Sequence, residues 1–334
     1  MNLEDVAAKA GVSTATVSRV LNNVGVVRNT TRARVMRAVE ELKYYPNINA
    51  RALAGGRSKT LGLVVSNLEN PFFLDVFRAL EEEAHRFGYE LIVANTGYDP
   101  ARLKTAVGLM LGRRPAGLAV VVAEDDNAVL DELEERKVRT VVYDVGKPRL
   151  HMTSIKTNYR KGMQRIAEYL HSLGHRRMAF VGHHDSLGPV VDRRQTFIDV
   201  MRQYGSDVQF TTVADADGYA GGREAVRALY RSGFRASAIL CVNDFMAIGV
   251  LRELRDMHID VPGQVSVTGF DNIELSEMLN PALTTAHVPR GQIGRQIFES
   301  LVREVEEEGK PGREYLIDPE LIVRESTGPA ADAR

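Results

Sequence analysis

Eight short apolar runs, each followed by a helical stretch, constrain this chain most. They read LGLVVS, ELIVAN, GLAVVVA and TVVYDV, and then MAFVG, VQFTTV, AILCVN and VSVTGF. Continuous Val/Ile/Leu runs of this length mark strands buried on both faces, and strands alternating with helices pair in parallel. Two sets of four therefore predict two lobes of parallel sheet flanked by helices, with a break near residues 155 to 162. A chain of 334 residues, 44% hydrophobic and 26% charged, has material for two or three structural units. No apolar run approaches the roughly 18 residues of a membrane span. The start, MNLEDVAAKAG, is acidic and amphipathic, unlike a secretory signal. Cys241, the one cysteine, lies within AILCV and reads as a buried, inert strand thiol. Together these features predict a cytoplasmic protein without membrane contact.

Open parallel sheets bind ligands at the carboxyl ends of their strands. Those ends are Ser66 to Phe73, Asn95 to Asp99, Asp144, His183 to Asp185, Asn243-Asp244 and Asp271-Asn272. Neither G-x-G-x-x-G after a strand nor G-x-x-x-x-G-K-[ST] occurs, so a nucleotide-dependent enzyme would lack its phosphate cradle. His183-His184-Asp185 lacks a remote ligand set, and the expectation is no metal and no cofactor. Each strand-end carboxylate has two readings, ligand contact or cap of the following helix.

The net charge of −1 conceals an asymmetry: residues 1–60 hold ten Lys/Arg against four Asp/Glu, the remainder 33 against 40. A basic head on an acidic body is the electrostatic footprint of a nucleic-acid reader with a second task. In the head, Asn2 and Asp5 stand in capping-box positions, and Leu3, Val6, Ala7 and Ala10 share one face of a helix that Gly11 ends. Ser13 or Thr14 caps a second helix with Val17, Val20 and Leu21 inward. A third begins near Thr30 or Thr31 and buries Val35, Val39 and Leu42 before Tyr44-Tyr45-Pro46. Two short helices joined by a tight glycine turn and closed by a third are helix-turn-helix geometry. Thr14, Ala15 and Arg19 then face base edges, while Ser13, Thr16 and Asn22 suit phosphate oxygens. Arg19 can grip guanine O6 and N7 together; the alternative is a solvated surface arginine. Beyond the head, NARALAGGRSK reads as one or two helical turns from Ala50 to Ala54, too short to be stable alone, with Leu53 its one large apolar residue.

LEDVAAKAGVSTATVSRVLNN, followed by TRARVMRAVEELKYYPN and ARALAGGRS, resembles the head and hinge of the LacI/GalR family of bacterial transcription regulators. The likeness runs from about Leu3 to Thr327. It implies a hinge helix that folds only on DNA beside its partner's, with Asn47 as N-cap, Ala50 and Ala54 small for close approach, and Leu53 at the position that wedges into the minor groove. Such a wedge unstacks a base step and kinks the duplex. Arg28 departs from the small polar cap usual before the third helix. For the body, the resemblance implies two Rossmann-like lobes of the periplasmic-binding-protein type, with an effector between them. It places Phe72, Phe73, Asp144, Arg194, Asn243 and Asp271 at effector-holding positions. An arginine, two carboxylates and an amide suit a polyhydroxylated or zwitterionic ligand through paired hydrogen bonds. Val145 and Ala216 stand where some relatives carry large aromatics, which argues against a planar base, and Thr157-Asn158 replaces the more usual Asp-Asn.

The expectation is an α/β protein. A helix-turn-helix domain spans 1–46 and a hinge 47–60. An effector-binding and dimerisation body spans 61–327, its first lobe about 61–157 and 288–316, its second about 158–287 and 317–327, before a tail at 328–334. The function expected is that of a homodimeric, non-enzymatic transcriptional regulator, a repressor. It would bind a near-palindromic double-stranded operator under control of a sugar or sugar-like effector. The tail, lacking heptads, predicts no helical tetramer. Two rivals are a solute-binding protein without a DNA role and an α/β enzyme using Asp144, Asp271 and His183.

Overall fold

A computed structural model describes residues 2–21, 25, 27–44, 58–124, 126–183, 187–303 and 311–331. Asn22, Asn47, Ala50, Leu53, Ala54, His184 and Asp185 lie outside the described residues. The chain divides into two compact units, residues 1–58 and 59–334.

The first unit is three helices: α1 (Leu3–Ala10), α2 (Thr14–Leu21) and α3 (Asn29–Glu41). At α1 the Asn2 side chain accepts from the Asp5 N–H while Asp5 accepts from the Asn2 N–H, satisfying two helix-end donors reciprocally. Gly11 ends α1 at φ 61°, a left-handed conformation that favours glycine. The cap of α2 is Ser13, whose Oγ accepts from the Thr16 N–H at 3.3 Å. The third helix starts at Asn29, a residue earlier than its sequence suggests, and the side chain of Arg28 makes no capping bond. Val6, Ala7, Ala10, Val17, Val20, Val35 and Ala38 form the buried centre, with Val39 and Leu42 at its margin. Lys9 and Glu41 tie α1 to α3 at 2.8 Å.

The second unit holds two six-stranded sheets. The first sheet combines β1 (Thr60–Val65), β2 (Glu90–Asn95), β3 (Gly117–Val121), β4 (Thr140–Tyr143), β5 (Met152–Thr157) and β11 (Glu314–Ile317), in the order β11-β5-β4-β3-β1-β2. The second combines β6 (Arg177–His183), β7 (Gln209–Asp215), β8 (Ala238–Cys241), β9 (Ser266–Asp271), β10 (Thr284–His287) and β12 (Glu320–Ile322), in the order β12-β10-β9-β8-β6-β7. All pairings are parallel except β10 with β12. The apolar runs form eight of these strands. The other four are short or half polar, and a hydrophobic pattern alone did not distinguish them.

Helices cover both faces of each sheet. On the first, α4 (Pro71–Arg86) packs against one face, while α5 (Pro100–Gly112) and α6 (Asn127–Glu135) cover the other through Leu103, Val107, Met110, Val129, Leu130 and Leu133. On the second, α7 (Tyr159–Ser172) packs with α8 (Gly188–Gln203), and α9 (Tyr219–Arg231) with α10 (Asp244–Asp256). A short helix, α11 (Leu275–Met278), precedes β10, and α12 (Arg290–Val302) returns to lie along α4. The chain thus passes between lobes three times: β5 to α7, β10 to α12, and β11 to β12. All three passages lie at the sheet edges where β5, β11, β10 and β12 sit, so the opposite edges, β2 and β7, are farthest from them.

Candidate functional site

On the second helix of the head, Val17 and Val20 point inward because they fall a turn apart on one face. That leaves Thr14, Ala15 and Arg19 exposed on the outer face, with Ser13 exposed at the cap. Thr16 is half-buried, and its hydroxyl shares a hydrogen bond of 3.0 Å with Ser13 Oγ. Both hydroxyls therefore serve the cap while remaining at the helix N-terminus, where phosphate oxygens are favoured.

In the second unit the carboxyl ends of the two sheets face each other across a narrow cleft. Phe72, Phe73, Asp144, Asn243 and Asp271 all line it. Their positions follow from local chain chemistry. Asn70 caps α4 by accepting from the Phe72 N–H at 3.0 Å, so the first turn of that helix presents both phenylalanines. The two rings meet edge to face, 5.3 Å between centroids. Asn243 caps α10 by accepting from the Met246 N–H at 2.8 Å, while its amide nitrogen donates to Asp217 Oδ1 at 3.1 Å.

Tyr98, Asp144, Asp271 and Asn272 have positive φ of 63°, 58°, 107° and 54°, at the loops after β2, β4 and β9. Non-glycine residues adopt this region at a cost, and such strain clusters where a side chain is needed at a fixed point. Arg290 secures one strained pair: its guanidinium donates to the Asp271 carbonyl and, at 2.5 Å, to the Asn272 carbonyl, while Nε meets Asp75 on α4 at 2.9 Å.

Arg194, expected at the site, is not among the residues lining this cleft; it lines a neighbouring pocket with Phe180, His183, Val190 and Thr212 to Ala214. The arginine in the cleft is Arg193, whose guanidinium lies 4.3 Å from the Tyr159 ring centroid, 5.3 Å from that of Phe270 and 4.0 Å from Asp271 Oδ1. Successive helical residues point about 100° apart, so an Arg-Arg pair sends only one member into a given site. Cation–π contact on two rings holds the charge in a nearly water-free position.

Asp144 accepts from the Thr157 N–H at 2.7 Å and from the Tyr159 hydroxyl. Burial raises its pKa to about 6, against the opposing pull of those hydrogen bonds and of Arg193. Burial also pushes Asp271 well above the ordinary carboxylate range, with Arg193 again opposing. Tyr143, Tyr159, Tyr98, Asn70 and His183 also line the cleft. Tyr143 and Tyr159 were not singled out from sequence; a helix-initial residue behind the N-cap Asn158 and a strand-final tyrosine were the available signals. Ala216 is exposed and Val145 packs in the outer core of the first lobe, so the aromatic surface comes from the tyrosines and phenylalanines instead. Among the described residues no group of three His, Cys, Asp or Glu is placed to hold a metal ion. Cys241 is buried in β8, and burial raises its thiol pKa.

These features define a two-lobed binding protein that also carries a helix-turn-helix head. Residues 2–47 match the family of bacterial regulatory proteins, lacI family, and residues 167–327 match a periplasmic binding protein-like domain. The chain is 31% identical over 326 residues to an HTH-type transcriptional repressor PurR of Photobacterium profundum, covering 97% of this chain and 98% of that one. Among solved structures, a LacI-family transcriptional regulator from Silicibacter pomeroyi superposes with a TM-score of 0.86 at 29% identity, covering 98% of this chain and 99% of that one. The Lac repressor dimer bound to operator and the anti-inducer ONPF gives 0.83 at 27% identity, with the same coverage. A complex of the transcriptional regulator CelR with cellobiose gives 0.71 at 26%, again with that coverage. The chain belongs to the lacI family of bacterial regulatory proteins and is not an enzyme of the kinds weighed above.

Proposed function

We propose that this regulator is a repressor whose affinity for a near-palindromic operator is set by a sugar or sugar-like effector in the cleft. One observation carries the reading: Arg193, Asn243, Asp144 and Asp271 converge between aromatic walls at the facing carboxyl ends of two parallel sheets. A guanidinium, an amide and two carboxylates can donate to and accept from a ring of hydroxyls, and aromatic faces cover its apolar side. The cellobiose held by the CelR relative is consistent with that chemistry.

DNA reading is assigned to Thr14, Ala15 and Arg19, positioned by Ser13, Thr16 and Asn22. The hinge comprises Asn47, Ala50 and Leu53, with Leu53 as the wedge. A homodimer fits a patch of exposed Met278 and Tyr219 with Leu251 and Leu279 on the second lobe. Apolar side chains gathered on one exposed face mark a contact surface, and the Lac repressor relative is a dimer. Among the described residues no helix is long and apolar enough to cross a membrane, which accords with a regulator working on DNA in the cytoplasm.

The test joins two measurements. A gel shift with genomic fragments should find a two-fold symmetric site, and a thermal-shift screen over sugars and sugar phosphates should find the effector. A ligand at a hundred times its dissociation constant adds about 2.7 kcal/mol. The reading fails if no fragment is bound with or without any ligand that raises the melting temperature.

A further inference from the structure

Asp217, in the loop between β7 and α9, has a side chain only 7% exposed, although the loop itself is on the surface. Its Oδ2 accepts from the Tyr98 hydroxyl at 2.7 Å and sits 3.5 Å from Asn67 Nδ2. Its Oδ1 accepts from Asn243 Nδ2 at 3.1 Å and lies 3.9 Å from His183 Nε2. Tyr98 and Asn67 belong to the first lobe, Asn243 and His183 to the second, so one carboxylate is shared by donors from both sides of the cleft.

Its place in the topology gives that contact leverage. Tyr98 follows β2 and Asp217 follows β7, the two edge strands farthest from the three inter-lobe passages. A hinge opens most at the edge opposite it, so this bond spans the mouth of the cleft. Three of the side chains it involves, Tyr98, Asn243 and His183, also line the cleft. The donors of the hydrogen bonds are neutral, and a buried carboxylate served by neutral donors is held less firmly than one paired with a guanidinium.

We infer that Asp217 is a latch that holds the cleft closed at its mouth. An effector must await its release, and the ligand's own polar groups then compete for the Tyr98 and Asn243 donors. The inference rests on the cleft being the effector site. It makes the Tyr98–Asp217 bond part of regulation: unlatching raises the fraction of chains ready to accept ligand, and apparent affinity scales with that fraction.

Hydrogen exchange on the full-length, ligand-free protein tests it, comparing the parent with Tyr98→Phe, Asp217→Ala and the double variant. Tyr98→Phe removes one oxygen from the first lobe, yet exchange should rise about tenfold in residues 212–220 of the second, since a bond to a charged group carries at least that factor. Asp217→Ala should raise exchange reciprocally in residues 95–99. The double variant should exchange no faster than the faster single, because both substitutions break the same bond. Acceleration confined to the lobe that carries the substitution, or multiplied in the double variant, would show Asp217 to be a local loop residue and overturn the latch. The readout needs neither ligand nor DNA. Failure of the parent to bind any operator would therefore sink the proposed function without altering this result.

Discussion

At Arg193 and Arg194 two identical side chains have opposite surroundings, and chemistry separates them cleanly. Arg193 is clamped over Tyr159 and Phe270 beside Asp271, while Arg194 lies against β6 and β7. Arg193→Ala should therefore abolish the effector's influence on operator binding. Arg194→Ala should leave effector affinity within a few-fold of the parent, because a group with no contact to the ligand adds no differential affinity. Operator titrations with and without effector, run in parallel on both variants, decide this; equal loss in the two would return Arg194 to the site. Arg193→Lys should not rescue, since an ammonium cannot stack between two rings while donating in a fork. Strand-end residues such as Asp144, Asn243 and Asp271 were legible in the sequence because the end of each apolar run marks the carboxyl end of its strand. Which of Arg193 and Arg194 lines the cleft was not legible, because rotational phase on α8 depends on how that helix rolls against β6 and α7.

Among the elements, the α9–α10 pair shows how tightly the second lobe is built. A Cβ on Gly249 would sit 2.0 Å from the Tyr219 carbonyl oxygen, and one on Gly222 would sit 2.1 Å from that of Met246. The two helices touch backbone to backbone, which only glycine permits. Gly249→Ala should cost about 1–3 kcal/mol or more by overpacking, against the usual gain from replacing a helical glycine. Denaturant unfolding should show a lowered midpoint, and an unchanged or raised midpoint would mean the helices can separate cheaply. The proposed hinge is tested through Leu53, on DNA rather than on stability. Leu53→Ala should keep the dimer and the melting temperature while weakening operator binding by several kcal/mol through loss of the wedge, roughly the unstacking of one or two base steps. A gel-shift titration at fixed salt measures it, and equal affinity of variant and parent would remove Leu53 from the interface.

For the molecule as a whole, buried carboxylates set the pH response. Burial raises Asp144 to about 6 and Asp244 to about 7, and raises Asp271 as well. An acid whose folded pKa exceeds its unfolded value near 3.8 binds a proton more readily when folded. Its stabilisation is full below the unfolded pKa and is lost as pH rises through the folded one. His175 and His287 act oppositely: burial lowers both, so each takes up its proton more readily unfolded and costs stability as pH falls below about 6.5. The melting temperature of the ligand-free protein should therefore fall from pH 6.5 to pH 8, and Asp244→Asn should flatten the upper part of that decline. A curve rising through this interval would contradict the assignment. Self-association is the second whole-molecule property. Met278→Glu places a charge in the exposed apolar patch of the second lobe and should raise the dimer dissociation constant at least about tenfold, as desolvating one unpaired charge demands. Sedimentation at graded concentrations reads it directly, and an unshifted monomer–dimer equilibrium would place the interface elsewhere.

Eight apolar runs, a capping box at Asn2 and Asp5, and the glycine turn at Gly11 were enough to read two sheet lobes and a three-helix head, because buried parallel strands and helix ends obey local rules. The strand-end carboxylates were legible for the same reason. Local rules do not specify which edge strands pair across long separations. The partners of β5 and β10 come from residues 314–317 and 320–322, and short, half-polar strands acquire their place only from the sheet they join. The phase of α8 arises only from packing within the second lobe, and the bond from Tyr98 to Asp217, 119 residues apart, only where the two lobes meet. Sequence determines what each segment prefers, and tertiary packing decides which side chains from distant segments occupy the same few ångströms.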